Sequence, residues 1–133
     1  MFATAFHTSR HYILLTVMAC LCVLLGGPSY AAGVESLFIA GDTYCEPGVS
    51  GPGWAWTDTD HLELTGYAGE AIGADGDLVV TLVGQNSVVE THAPDADISM
   101  SGMEVWGNLT LRGSGSLTAT GSQCGIHVAQ ALV

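Results

Sequence analysis

A single phrase is stated twice in this chain and begun a third time. It runs AIGADGDLVVTLVGQNSV from Ala71 to Val88, GMEVWGNLTLRGSGSLTA from Gly102 to Ala119, and restarts as GIHV from Gly125 to Val128. An apolar residue, a Gly turn, a Leu-x-Val/Leu strand and a second Gly turn recur at offsets of about 23 to 31 residues, a period typical of coiled repeat architectures. Internal copying at this spacing excludes most folds, because each copy must bury its apolar face against the next.

The local pattern is that of strands. Leu62 and Leu64 alternate with His61, Glu63 and Thr65. Leu78, Val80 and Leu82 alternate with Asp77, Val79 and Thr81, and Leu109 and Leu111 alternate with Asn108, Thr110 and Arg112. A period of two places alternate side chains on opposite faces of a strand. The separators are turn residues, including Gly66, Gly73, Gly84-Gln85-Asn86, Gly107-Asn108 and Gly113-Ser114-Gly115. No stretch after the first 31 residues carries capped apolar spacing at helical period, so the expected class is all-β with little or no helix.

Two all-β arrangements compete, a parallel β-helix whose coils stack and an antiparallel sandwich. A sandwich gives no reason for copying, whereas stacked coils place equivalent residues above one another. The expected architecture is therefore a parallel β-helix, or β-solenoid. In it Ile72, Met103 and Ile126 are equivalent, as are Ala74, Val105 and Val128. Leu78 falls over Leu109, and Leu82-Val83-Gly84 falls over Leu111-Arg112-Gly113 once two extra residues are allowed in the first copy.

The organisation expected is a signal peptide over residues 1–31, an N-terminal capping β region over 32–66 and incomplete β-helix coils over 67–133. Arg10, the apolar run Tyr12 to Leu25, and Ser29 and Ala31 before the cut have the order of an export signal. The run is shorter than the roughly 20 residues of a membrane span, which sets an uncleaved anchor as the weaker alternative. A lipoprotein signal ending at Cys20 is disfavoured because the apolar stretch continues past it. A secreted or cell-surface protein is the expectation. The strand Ser36 to Ala40 and the Gly/Pro-rich stretch Glu46 to Gly53 do not repeat, and fit a cap over the first coil's open edge. The chain stops at Val133 as another coil starts, the expected pattern of the front part of a longer protein.

Charge narrows the partners. The exported part holds all thirteen carboxylates against one cation, Arg112, and no lysine. Nucleic acid and anionic lipid bind through clusters of cations, which excludes both as partners. Cys20 and Cys22 fall in the signal, leaving Cys45 and Cys124 as a candidate disulfide. Such a bridge would close a loop of about 80 residues and stabilise by roughly 4 kcal/mol in the chain-entropy account. Two cysteines without histidines at ligand spacing make no zinc site.

The LFIAGD segment at Leu37 to Asp42, GWAW at Gly53 to Trp56, LELTGY at Leu62 to Tyr67 and the two copied coils together resemble the β-helical carbohydrate-binding domains of secreted and surface proteins from anaerobic bacteria. The resemblance implies a right-handed parallel β-helix that binds polysaccharide, with calcium as the candidate ion in its turns. It carries over no defined binding residue.

Aromatic side chains are the sugar-binding candidates, since flat rings pack on the apolar face of a pyranose. Trp54 and Trp56 face one way if extended, and Tyr67 and Trp106 join them as candidates. The same residues serve equally to close the end of a core. Asp75, Asp77, Asp95 and Asp97 are the candidate calcium ligands, against a role as solvated turn residues, which also applies to Asp58 and Asp60. His61, His92 and His127 lie on separate elements with no nucleophile elbow, so no catalytic residues are assigned. The reading is a non-catalytic carbohydrate-binding module that needs no cofactor beyond the calcium candidate. Its alternatives are a structural or adhesive stalk that binds a protein, and a fragment of a polysaccharide lyase with Arg112 as base.

Overall fold

A computed structural model describes residues 33–92 and 100–133. The expected signal segment and the Asp95/Asp97 pair lie outside the described residues. The described chain is all-β, with no helix among these residues. In order it lays down β1 (Leu37–Ile39), β2 (Asp42–Tyr44), β3 (Val49–Gly51), β4 (Trp54–Asp58), β5 (His61–Thr65), β6 (Ala68–Glu70) and β7 (Ile72–Ala74). There follow β8 (Leu78–Val83), β9 (Gln85–Val89), β10 (Ser101–Val105), β11 (Leu109–Gly113), β12 (Ser116–Thr120) and β13 (Cys124–Val128).

The alternation sets the faces. In β8, Leu78, Val80 and Leu82 are buried while Val83 is exposed, and in β5 Leu62 and Leu64 are buried while Glu63 and Thr65 are exposed. Three sheets result, with strand orders β2-β1-β7-β10-β13, β3-β4-β5-β8-β11 and β6-β9-β12. From β5 onward the chain visits the second, third and first sheet in turn, three times over. Each strand therefore pairs in parallel with one three elements away.

Most of the expected equivalences are met as backbone partners. Met103 pairs with both Ile72 and Ile126, Val105 with both Ala74 and Val128, and Leu109 with Leu78. One register differs. Leu111 pairs with Val80 and Gly113 with Leu82, so no extra residues are needed in the first copy. Apolar residues two apart on a strand look interchangeable in sequence, but here the ladder from Leu109 to Gly113 continues unbroken and fixes the match. Parallel pairing also begins earlier than the second copy suggests, at His61, where β5 lies against β8.

Ahead of these ladders the pairing is antiparallel. β1 pairs with β2 and with β7, β3 with β4, and β4 with β5. These strands occupy the ladder edges of β7 and β5, which would otherwise offer unpaired N–H and C=O groups. Inward residues of all three sheets meet in one core that includes Trp56, Leu62, Leu64, Ile72, Val80, Val88, Met103 and Leu109. Full burial of each large side chain is worth about 1.5–3 kcal/mol.

One corner of this core is tied by a polar side chain. Buried Asn86, on β9, accepts from the Tyr67 N–H at 2.8 Å and donates to Ser116 O at 3.1 Å and Val83 O at 3.2 Å. Tyr67 precedes β6 and Ser116 opens β12, so the amide bridges all three strands of the third sheet.

Candidate functional site

The outer face of the first sheet carries the candidate site. Backbone partners Phe38 on β1, Gly73 on β7, Glu104 on β10 and His127 on β13 form one outward row, because their neighbours Leu37, Ile39, Ile72, Ala74, Met103 and Val105 are buried inward. Gly73 has no side chain to fill its place in the row. The result is a cleft of about 300 Å³ whose lining includes Phe38, Gly73, Glu90, His92, Ser101 and Glu104.

Phe38 supplies the apolar wall, with 37% of its surface exposed. Glu104 supplies an opposing carboxylate, and its Oε1 lies 3.2 Å from His127 Nδ1. The indole of Trp106 meets the His127 ring edge-on at 5.7 Å between centroids, so an exposed aromatic stands on the same face beyond the cleft. Glu90 follows β9, and its N–H donates to Thr120 O at 2.9 Å, which fixes the backbone beneath the carboxylate. Its Oε1 accepts from the His92 N–H at 2.8 Å and also contacts His92 Nδ1. Burial pushes the Glu90 carboxyl up, but hydrogen bonds from His92, the His92 charge and the Thr91 N–H together hold it below the usual carboxylate value. The cleft thus pairs an apolar ring with two carboxylates and an imidazole, which can pack against one side of a sugar while accepting hydrogen bonds from its polar groups.

The aromatic candidates separate. Trp54 and Trp56 do face one way, but that way is inward: they are 5% and 0% exposed, and Tyr67 is 2% exposed. The antiparallel pairing of β4 with β3 and β5 turns both indoles onto the core, and Trp54 packs on Tyr44 at 5.4 Å between ring centroids. Tyr67 donates its O–H to Glu70 O at 2.9 Å, and burial pushes its phenol up. None of these three offers a ring face to a ligand. Trp106 does, at 59% exposure.

The two described Asp candidates, Asp75 and Asp77, tie parts of the fold together. Asp75 Oδ1 accepts from the N–H groups of Glu35 and Ser36 at 2.8 and 2.7 Å, and its Oδ2 accepts from Ser36 Oγ at 2.8 Å. Asp77 Oδ1 accepts from the Asn108 N–H at 2.7 Å, tying one turn to the turn above it. Among the described residues, no three His, Cys, Asp or Glu side chains converge as a metal would require.

The disulfide is not formed. Cys45 and Cys124 are both free thiols. Cys45 follows β2 and Cys124 opens β13, at opposite edges of one five-stranded sheet. Four strand spacings are about 19 Å, against a limit of about 7 Å between bridged Cα atoms.

Arg112 stands on the second sheet, where its Nε donates to Thr81 Oγ1 at 3.2 Å and its Nη2 lies 3.2 Å from His61 Nδ1. The one arginine among the described residues is therefore on a different sheet from the cleft.

Sequence reasoning missed Phe38, Gly73, Glu90 and Glu104. The only available signal was the mismatch of Gly73 with Glu104 and His127 at an otherwise copied position. No known protein family, curated protein or solved structure matches the chain.

Proposed function

We propose that the chain is a secreted, non-catalytic β-helix module that binds polysaccharide in the cleft between Phe38 and Glu104. The three parallel ladders are its three faces, and the antiparallel strands are its N-terminal cap. The observation that carries the reading is the cleft itself: a glycine gap in an outward row, walled by an aromatic ring and rimmed by carboxylates and an imidazole. The export signal expected over residues 1–31 and the acidic surface suit a protein that works outside the cell.

The test is retention on insoluble glycans. A Cβ at Gly73 would meet only the Phe38 Cβ, at an ordinary 3.6 Å, so Gly73→Val adds its bulk from a position where the first added carbon fits. The unaltered protein should be retained on at least one glycan, and Gly73→Val and Phe38→Ala should each lose retention at unchanged melting temperature. Retention that survives both substitutions, or none by the unaltered protein, overturns the reading.

A stalk that binds a protein partner is the second reading. It is favoured by the stack's capacity to extend: Ala131–Val133 already run parallel to β11, with the Leu111 N–H donating to Val133 O at 2.9 Å.

A further inference from the structure

We infer that the cleft selects amine-bearing polysaccharide over its neutral, N-acetylated counterpart. This rests on the polysaccharide reading and names the ligand's charge. Glu90 and Glu104 retain only 9% and 17% side-chain exposure, and each is met by an imidazole that offsets its charge only when protonated. Arg112 belongs to the second sheet and the chain has no lysine, so among the described residues no other cation on this face balances them.

A ligand seated against Phe38 would strip the remaining water from both carboxylates. A neutral sugar repays that desolvation with hydroxyl hydrogen bonds alone, and an anionic sugar adds repulsion. A sugar ammonium forms a charge-assisted hydrogen bond to a carboxylate and can lie against the Phe38 ring as a cation against a π face. Charge complementarity therefore singles out the deacetylated polymer.

The experiment measures binding of the full chain to chitosan and chitin oligomers of equal length by calorimetry. The expected result is chitosan binding at least about tenfold tighter, the size of one charged hydrogen bond. Glu104→Gln should erase most of that preference while Glu63→Gln, which removes the same charge from the outer face of β5, leaves it intact. If Glu63→Gln weakens chitosan binding as much as Glu104→Gln, the attraction is general and the inference fails. Equal affinity for the two oligomers, or tighter binding of chitin, also overturns the inference and leaves polysaccharide binding standing. A protein that binds polylysine but neither oligomer overturns it too. Absence of binding to these and every other glycan overturns both.

Discussion

Asn86 ties three passes of the chain through one side chain. Its amide is spent on backbone groups of Tyr67, Val83 and Ser116, which belong to successive passes of the chain. Leucine would match its volume but leave the buried Tyr67 N–H without its acceptor and take a donor from Ser116 O, at about 1–3 kcal/mol for each group that water cannot reach, while Val83 O keeps the Gly66 N–H at 3.2 Å. Asn86→Leu should therefore lower stability by about 3 kcal/mol in denaturant titration, and a loss under about 1 kcal/mol would contradict the bridging role. In sequence Asn86 reads as one more turn residue beside Gly84. Its contacts with Tyr67 and Ser116 lie 19 and 30 positions away, and no local pattern announces them.

At the scale of the element, the copied strands and the flanking strands at Leu37–Ile39 and His61–Thr65 are legible, and the antiparallel pairing of the flanking region is not. Like side chains stack on like, so Ile72, Met103 and Ile126 reveal their alignment by apolar identity alone. The end of β11 misleads because Leu82 and Val80 are equally apolar, and what decides is the backbone. Gly113 has φ +102, and a Cβ there would sit 2.4 Å from Leu82 O. The ladder requires glycine at this close approach. Gly113→Ala should cost about 2–4 kcal/mol in thermal or chemical unfolding, and a neutral result would argue for the shifted alignment instead. The Trp54/Trp56 pair shows a different limit. Alternation says that two indoles share a face, while only the pairing of β4 with β3 and β5 says that the face is the core.

The cleft belongs to the whole molecule. Phe38 comes from a non-repeating antiparallel strand, Gly73 and Glu104 from successive ladder strands, and Glu90 and His92 from a connection that has no copy. Its position is set by a missing side chain, which a search for conspicuous aromatics and acids passes over. The stacked ladders, and the row that sets Gly73 beside Glu104 and His127, depend on strands three elements apart lying in parallel register. Nuclear Overhauser contacts across the second sheet test that most directly. The account predicts cross-strand contacts joining Leu109 to Leu78, Leu111 to Val80 and Gly113 to Leu82 in the parallel pattern. Antiparallel contacts between sequence-adjacent strands, with β8 hydrogen-bonded to β9 and β11 to β12, would contradict it.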